Sequence, residues 1–277
     1  MGWCICDANQ VKFTPPMEFN EKSISTNLNT KIFGKRIFFF KSIKSTMDYA
    51  KKIAERDEPE GTVIIADYQS HGRGRFGRIW KSEPGKNILM SIILRPTIPL
   101  EKFSILPFLF SVSVAEAIEK NTNLKITTKW PNDLLINNRK FCGILMEASI
   151  TADKGDFVIL GIGINVNQSE FPKEIQDYAT SLYLSTGKVY DRAELTKDIL
   201  RQIEVDYEKL NKDRDFKSVI ERWKKRCTML GQKITVIQSG KTITGKAIDI
   251  DETGFLLLED ETSKIIKLSS GDVTVVK

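Results

Sequence analysis

The segment that most restricts this chain covers residues 71–80 and reads HGRGRFGRIW, with glycine and arginine alternating. It follows an apolar run at residues 62–66 that predicts a strand. Glycine loses more backbone entropy than other residues in a helix or strand, and it lets the backbone approach a ligand closely. Arginine presents a planar set of donors that matches carboxylate and phosphate oxygens. The segment therefore predicts a mobile loop that binds an anion and becomes ordered around it.

This loop by itself leaves other interpretations open. Alternating arginine and glycine also fit a patch that binds the backbone of a nucleic acid, and they fit a solvated turn. The net charge of +6 over 277 residues suits a polyanionic ligand or an acidic partner protein. That excess is too small and too scattered to indicate DNA binding.

The composition places the chain among globular proteins, since 41% of its residues are hydrophobic and 28% are charged. Its four cysteines form no disulfide framework in a chain of this size, which favours a reducing compartment. No apolar run reaches the length of a membrane span, and the N-terminus lacks the pattern of a signal peptide. We therefore predict a soluble, cytoplasmic protein with no membrane partner.

The distribution of apolar and turn residues predicts three parts of the chain. Residues 1–31 are polar and turn-rich, and they form an N-terminal extension without the two helices of a helix-turn-helix. Residues 32–226 mix hairpins and helices, which predicts an α+β domain with one mixed sheet and helices on one face. Residues 227–277 contain five short alternating segments separated by turn signals, which predict a small SH3-like β-barrel.

The elements of the larger part follow from apolar periodicity and from helix capping signals. Helices are predicted at residues 47–56, 103–119, 191–211 and 216–226. Strands are predicted at residues 36–40, 62–66, 87–94, 125–129, 133–136, 141–149 and 157–166. Several polar residues lie at the ends of these elements, where ligands are often bound.

Two polar pieces stand before the glycine loop. Ser45 and Thr46 lie where a strand gives way to a helix, and either hydroxyl serves there as an ordinary helix cap. Gln69 offers amide donors and an acceptor that suit a polar ring such as a urea or a nucleobase. A glutamine in a surface loop needs no such function, so each piece gains meaning only together with the others.

Two further pieces follow the loop. Residues 128–135 read TKWPNDLL, and proline there fixes φ and favours an extended residue before it. That rigidity can aim Asn132 and Asp133 at a ligand or at Mg²⁺, while Lys140 offers a point charge for carboxylate or phosphate. A tight turn with a solvated lysine explains the same residues. Residues 161–167 read GIGINVN, which permits close approach on one strand face without matching a dinucleotide-binding fingerprint.

The motifs that the sequence lacks restrict the chemistry as well. It has no P-loop, no nucleophile elbow, no kinase catalytic loop and no cluster of metal ligands. Its single histidine, His71, lies within the glycine loop. Acid–base or nucleophilic catalysis by side chains is therefore disfavoured. Positioning of reactants and neutralisation of charge, the usual route for chemistry at phosphate, fit better.

With these pieces in this order, the chain resembles biotin–protein ligases from residue 35 to residue 277. The resemblance rests on the loop at residues 72–80, on KWPND at residues 129–133 and on GIGIN at residues 161–165. The small terminal barrel is similar as well. Two features depart from the family: the winged helix-turn-helix of its regulatory members is not found, and Met47 stands where asparagine is frequent.

The resemblance implies a two-step reaction in the domain at residues 32–226, which would be the catalytic domain. Biotin and ATP with Mg²⁺ form biotinyl-5′-AMP and pyrophosphate, and biotin then passes to a lysine of a biotin carboxyl carrier protein or domain. No prosthetic group is implied. The charges agree with this chemistry, because the biotin carboxylate and the α-phosphate repel each other and basic side chains neutralise both. A closing loop would also exclude water from the hydrolysable mixed anhydride.

By matching positions, the resemblance also implies roles for individual residues. Those that would hold biotin are Ser45, Thr46, Gln69, Arg73, Gly74, Arg75 and Lys140. Those on the nucleotide side would be Arg78, Trp80, Asn132, Asp133 and Asn165, with Asp133 as the Mg²⁺ ligand. The catalytic cations would be Lys140, Arg75 and Arg78.

Three other functions stay open at this point. A lipoate–protein ligase shares the chemistry but would lack this loop sequence and this terminal barrel. A bifunctional ligase–repressor needs a DNA-reading helix, for which residues 1–31 are short and poorly patterned. A binding module would use the barrel and the basic loop to recruit RNA or an acidic protein. The sequence does not state which carboxylase is modified or whether the chain forms a homodimer.

Overall fold

The computed structural model describes residues 18–151, 154–238 and 240–276. Residues 1–17, which make up most of the predicted N-terminal extension, lie outside the described residues. Within the described ranges, no helix combines the length and the apolar character that crossing a membrane requires. The predicted part boundaries at residues 31 and 226 remain predictions.

The described end of the predicted extension packs against the larger domain. It contains a short helix, α1 (Glu21–Ser25), whose Ile24 is fully buried. The carboxylate of Glu204 accepts hydrogen bonds from the backbone amides of residues 31, 32 and 33, at 2.6, 2.7 and 3.0 Å. Three amides on one buried carboxylate satisfy its oxygens without a positively charged partner. Residues 18–33 are therefore tied to the domain that follows them.

The larger domain is built on a seven-stranded mixed sheet in the order β1-β2-β3-β7-β6-β5-β4. Strands β1 and β2 pair in parallel, and the other neighbouring strands pair antiparallel. The strands are Ile37–Phe40 (β1), Val63–Ala66 (β2), Ile88–Leu94 (β3), Thr127–Lys129 (β4), Asp133–Ile136 (β5), Arg139–Thr151 (β6) and Lys154–Ile164 (β7). Each of these was predicted within a few residues.

The helices of this domain also agree with the predicted positions, with one addition. They are Thr46–Ala54 (α2), Leu106–Thr122 (α3), Leu182–Thr186 (α4), Arg192–Asp213 (α5) and Phe216–Lys224 (α6). The short helix α4 was not predicted. The predicted start of α3 at residue 103 falls in a 3-10 helix, Leu100–Ile105, and a proline opens the α-helix behind it.

The two faces of the sheet carry different helices. Val63 and Ile65 of β2 point into the main core with α3, α5 and α6, while Ile64 between them packs beside α2. This alternation is the two-residue period of a strand. The predicted mixed sheet with helices is confirmed, but the prediction of a single helical face fails for α2, while α3, α5 and α6 share the main core. Helix α2 covers the opposite face, because Met47 and Ala50 form an apolar stripe that is buried there.

The C-terminal part is a five-stranded antiparallel sheet in the order β11-β10-β9-β8-β12, as the predicted SH3-like domain requires. Its strands are Lys233–Gln238 (β8), Lys241–Ile250 (β9), Leu256–Glu259 (β10), Ile265–Leu268 (β11) and Asp272–Val275 (β12). The indole N–H of Trp130 donates to the carbonyl of Gly254 at 3.0 Å and joins the two domains. A Cβ at Gly254 would lie 2.7 Å from the ring of Phe108, so glycine permits this close approach.

Candidate active site

A cavity of about 430 Å³ lies on the face of the large sheet that helix α2 covers. Its walls come from the large sheet and α2, from the arginine–glycine loop, and from Ile237 and residues 271–274 of the C-terminal domain. This volume falls within the range of small-molecule sites. A ligand in the cavity would therefore contact both domains at once.

Three glycines form the floor of the cavity, and two large side chains cover it. A Cβ at Gly143 or Gly163 would lie only 2.9 or 2.8 Å from the indole ring of Trp80. A Cβ at Gly161 would lie 2.7 Å from the sulfur of Met47. Gly143 and Gly163 are directly paired across β6 and β7. The GIGIN pattern therefore provides the close approach that the sequence predicted, first of all to protein side chains.

One end of the cavity holds a buried hydrogen-bond network. Gln69 Oε1 accepts from the backbone amide and the hydroxyl of Thr46, at 2.7 and 2.9 Å, and the same hydroxyl lies 2.8 Å from that of Ser91. Gln69 and Thr46 line the cavity. Ser45 does not, because its hydroxyl caps α2 by accepting from the amide of Asp48 at 3.3 Å. The cap that the sequence left as an alternative is thus present.

The arginine–glycine loop folds into a narrow hairpin. The amide of Gly74 donates to the carbonyl of Arg78 at 2.8 Å, and that of Trp80 donates to the carbonyl of Gly72 at 2.9 Å. A Cβ at Gly72 would lie 2.6 Å from the Trp80 carbonyl oxygen, so this crossing requires glycine. At the tip, Phe76 has a φ of 54° and a ring that is 63% exposed. Regular hydrogen bonds inside the loop were not expected from its sequence.

The first arginine of the loop is paired with two carboxylates on the large domain. Arg73 Nη1 lies 2.7 Å from Asp48 Oδ1 of α2, and the same guanidinium contacts Glu147 of β6. All three side chains are partly exposed. Exposed pairs of this kind contribute at most about 1 kcal/mol each. These ion pairs fix the direction of the Arg73 side chain. They are also weak enough for a ligand anion to replace a carboxylate as its partner.

The other two arginines of the loop reach the C-terminal domain. Arg75 donates to the carbonyl of Gly271 at 3.2 Å, and its guanidinium lies 4.7 Å from the ring of Phe76. Arg78 pairs with Asp272, with one Nη1–Oδ1 distance of 3.2 Å. Burial lowers the pKa of Arg75, an effect that Asp272 partly offsets. The loop therefore joins the two domains through charged side chains.

Lys140 has a partner that the sequence did not indicate. Its Nζ lies 2.5 Å from Asp133 Oδ1, and 5.4 Å from the centre of the Trp80 ring. Strands β5 and β6 are antiparallel neighbours, and this brings the two predicted residues together. A cation in an ion pair and near an aromatic face is held in one place. The predicted lysine, aspartate and tryptophan thus form one group in the cavity.

The two asparagines on the predicted nucleotide side differ in position. Asn132 lines the cavity, and its amide nitrogen donates to the carbonyl of Ile144. Asn165 lies behind the cavity lining, where its amide nitrogen donates to the carbonyl of Thr180 at 3.0 Å. The Oδ1 of Asn165 is buried and has no hydrogen-bond partner in the described part of the chain. Of the predicted site residues, Ser45 and Asn165 are therefore the two that do not line the cavity.

The sequence interpretation missed two contributions to the cavity. One is Lys129, which belongs to the KWPND motif but received no role, and which lines the cavity next to Asp133. The other is the turn at residues 271–274, whose Asp272 reaches the loop from the C-terminal domain. The motif itself was a signal for the lysine. The contact of the turn depends on how the domains pack, and nothing in its local sequence indicates it.

Carboxylates in the cavity bear on the predicted Mg²⁺. Among the described residues, no three His, Cys, Asp or Glu side chains lie close enough to hold a metal ion by themselves. Asp133 and Asp272 both line the cavity. Mg²⁺ that arrives with ATP commonly takes one or two protein carboxylates and completes its shell with phosphate oxygens and water. The donor set therefore fits a magnesium–nucleotide complex better than a permanent metal site.

Known proteins match this architecture. Residues 39–165 match the biotin/lipoate A/B protein ligase family, and residues 229–276 match the biotin protein ligase C terminal domain. The chain is 39% identical over 263 residues to the bifunctional ligase/repressor BirA of Bacillus spizizenii, covering 93% of this chain and 79% of that protein. The biotin protein ligase from Aquifex aeolicus in complex with biotin and ATP has a TM-score of 0.76 and 34% identity, covering 87% of this chain and 100% of that one.

A third relative is the biotin–[acetyl-CoA-carboxylase] ligase of Mycobacterium tuberculosis, 29% identical over 234 residues, with 82% of this chain and 83% of that protein covered. The match at residues 39–165 defines the class, that of the biotin and lipoate protein ligases. The C-terminal match and the relative from Bacillus narrow it, and the chain belongs to the biotin protein ligase family. The predicted resemblance, fold class and enzyme class are confirmed.

Proposed function

We propose that this protein joins biotin to ATP, forming biotinyl-5′-AMP and pyrophosphate, and then passes biotin to a lysine of a biotin carboxyl carrier protein or domain. The observation that carries the proposal is the cavity itself. It gathers an uncharged polar group, a flat floor and basic side chains of the large domain, and residues of the C-terminal domain close one side of it. A molecule with a polar ring, an apolar chain and a terminal carboxylate matches that sequence of surfaces.

The polar end fits the ureido ring of biotin. The amide and the hydroxyl of Thr46 both donate to Gln69 Oε1. The amide nitrogen of the Gln69 side chain therefore points away from Thr46. A ureido ring offers a carbonyl oxygen and two N–H groups, which such an amide and hydroxyl can satisfy. Ser45 acts indirectly here by capping the helix that carries Thr46. The valeryl chain is assigned to the part of the cavity that Gly74 and Arg75 of the loop line, next to the Trp80 ring that covers the glycine floor.

The charged part of the cavity supports the first chemical step. A carboxylate oxygen of biotin attacks the α-phosphorus, a new oxygen–phosphorus bond forms, and the bond from that phosphorus to the bridging oxygen of pyrophosphate breaks. Lys140 and the loop arginines Arg73, Arg75 and Arg78 lower the repulsion between the two anions. No side chain has to donate or remove a proton in this step. This agrees with a cavity that contains cations and no histidine.

The nucleotide is assigned to the side of the cavity nearer the C-terminal domain. Arg78, Trp80, Asn132 and Asp133, which line the cavity, are assigned to it, and Asn165 lies behind the lining, where it donates to the Thr180 carbonyl. Mg²⁺ would enter with ATP and supply charge neutralisation at the phosphates, with Asp133 as its protein ligand. One carboxylate oxygen of Asp133 would then hold the metal while the other keeps its contact with Lys140. Residues of the arginine–glycine loop that contact both ligands would shield the mixed anhydride from water.

The test is a biotin-dependent exchange of labelled pyrophosphate into ATP, followed by transfer to an isolated biotin carboxyl carrier domain. We expect exchange only when biotin and Mg²⁺ are both present, and labelling only of a carrier that keeps its acceptor lysine. Lipoate in place of biotin is the matched substrate control. Exchange with lipoate and not with biotin would favour the other branch of the ligase class and contradict the proposal. Repression of transcription, which the name of the Bacillus relative also states, is not part of it.

A further inference from the structure

Five basic side chains line the cavity, and they differ in whether a carboxylate neutralises them. They are Arg73, Arg75, Arg78, Lys129 and Lys140. Arg73, Arg78 and Lys140 are each in an ion pair, with Asp48 and Glu147, with Asp272 and with Asp133 respectively. Arg75 donates to a backbone carbonyl. Within the described ranges, Lys129 has no carboxylate within 4.0 Å and no side-chain hydrogen bond.

Lys129 lines the cavity close to charged groups of both domains. It ends strand β4 and is directly paired with Asp133 in the register of β4 and β5. Its ammonium group interacts electrostatically with Asp133 and Lys140 of the large sheet, and with Asp272 and Arg78 at the domain junction. Lys129 is therefore within electrostatic range of both the Lys140–Asp133 pair and the Arg78–Asp272 pair. Arg73 pairs instead with Asp48 of α2.

A cation in this position is unfavourable unless something balances it. Burial lowers the pKa of Lys129, and the two carboxylates offset only part of that effect. A partly buried ammonium group without an adjacent anion loses hydration that no protein group replaces. Two explanations remain for such a residue. Either its aliphatic stem packs while the ammonium group stays hydrated through the cavity mouth, or the ammonium group binds an anion that the substrate supplies.

We infer that Lys129 binds the β- and γ-phosphates of ATP and stabilises pyrophosphate as it leaves the α-phosphorus. This inference rests on the proposed function and assigns a separate part of it. When the bond between the α-phosphorus and its bridging oxygen breaks, the electron pair and a negative charge pass to pyrophosphate. Lys140, held by Asp133 and close to the floor, remains with the carboxylate and the α-phosphate. Arg75 is the other cavity cation without an ion pair in the described part of the chain, but its guanidinium donates to the Gly271 carbonyl. Lys129 has no such contact there, so we assign it to the leaving group.

The two half-reactions separate this role from a structural one. In Lys129→Met, whose side chain keeps the apolar stem, we expect biotin-dependent pyrophosphate exchange to fall about 10- to 100-fold, with a higher KM for pyrophosphate. Transfer of biotin from supplied biotinyl-5′-AMP to the carrier lysine should match that of the wild type, because pyrophosphate has already left. Lys129→Arg should recover part of the exchange. Lys125→Met, at an exposed lysine just before the same strand, is the matched control.

Each outcome of this experiment decides the point. Exchange by Lys129→Met with the rate and the KM for pyrophosphate of the wild type would overturn the inference. An equal loss in both half-reactions, together with weaker biotin binding by calorimetry, would also overturn it, since the lysine would then act through the structure. Failure of the proposed function is distinguishable, because the wild-type protein itself would show no biotin-dependent exchange.

Discussion

At the scale of the residue, the ion pair of Lys140 and Asp133 shows how the fold prepares a side chain for an anion. Lys140 Nζ lies 2.5 Å from one carboxylate oxygen and 5.4 Å from the centre of the Trp80 ring. Both contacts restrict the lysine before any ligand arrives, and a restricted charge costs less to organise during a reaction. The other carboxylate oxygen of Asp133 can in turn hold a metal ion that accompanies ATP.

Replacement of Lys140 by alanine should slow formation of biotinyl-5′-AMP about 10- to 100-fold, because a charge-assisted contact of about 1.5–3 kcal/mol is removed. Single-turnover adenylation measures the change. Arg139→Ala is the matched control, since Arg139 precedes it in strand β6 and is exposed. A thermal melt near that of the wild type establishes that the fold survives. Adenylation by Lys140→Ala at the wild-type rate would show that the lysine has no such role.

At the scale of the element, the hairpin of β6 and β7 carries the floor of the cavity. Gly143 and Gly163 face each other across it, and the indole of Trp80 lies on both. Glycine lowers the intrinsic stability of a strand, and in exchange the loop can place a flat aromatic side chain directly on the sheet. The glycines of the strands and Trp80 of the loop therefore depend on each other, although more than sixty residues separate Trp80 from Gly143.

Gly163→Ala should destabilise the protein by about 1–3 kcal/mol through overpacking, because its Cβ would lie 2.8 Å from the indole of Trp80. Chemical denaturation measures the loss. In a Trp80→Leu background the same substitution should cost much less, since the ring that it contacts has been removed. A cost that is identical in the two backgrounds would show that Trp80 does not limit the space at this position.

At the scale of the whole molecule, the arginine–glycine loop joins the two domains around the cavity. Arg73 pairs with Asp48 and Glu147 on the large domain, while Arg78 pairs with Asp272 on the C-terminal domain. In the proposed function, residues of this loop contact both biotin and the nucleotide. Each ligand would therefore order residues that the other also contacts.

We expect biotin to bind more tightly in the presence of a non-hydrolysable ATP analogue, and the analogue to bind more tightly in the presence of biotin. Ordering a residue costs about 1–2 kcal/mol of conformational entropy. The first ligand has already ordered the loop, so binding of the second ligand loses less entropy. Calorimetric titration in both orders measures the coupling, which thermodynamics requires to be equal in the two directions. A biotin affinity that the analogue leaves unchanged would contradict shared ordering of the loop.

The C-terminal domain should lose stability in acid because the Asp251 carboxylate, in the turn between β9 and β10, becomes protonated. Burial raises the pKa of Asp251, but hydrogen bonds from Lys267, Thr253 and the Phe255 amide outweigh it and lower that pKa to about 2. Because the folded pKa lies below the ordinary value of 3.8, the contribution is complete above that value and is lost as the pH falls towards about 2. Between about pH 5 and about pH 2, the free energy of unfolding should fall less in Asp251→Asn than in the wild type.

The neighbouring Glu252, which is exposed, supplies the control for this measurement. Glu252→Gln should keep the acid sensitivity of the wild type. An Asp251→Asn protein whose stability falls with pH as steeply as that of the wild type would show that the turn does not contribute.

The sequence by itself determined the elements and most of the site's membership. Strand and helix positions follow from local periodicity, and each was found within a few residues of its prediction. Residues such as Gln69, Arg75 and Lys140 were identified because their types suit a polar ring or an anion and their positions match those of biotin–protein ligases, and they do line one cavity. The network through Thr46 and Gln69 confirms that these short motifs meet in space, although their ligand roles remain predictions.

The tertiary structure alone decided which charges meet. Asp272 lies 194 residues from Arg78 along the chain, and no local pattern indicates that they pair. The pairing of Lys140 with Asp133 and the placement of α2 on the face opposite α3 likewise depend on how strands and helices pack. Periodicity tells which face of an element is buried, but not which distant element covers it. The electrostatics of the cavity, including the unpaired Lys129, are therefore a property of the fold and not of any one segment.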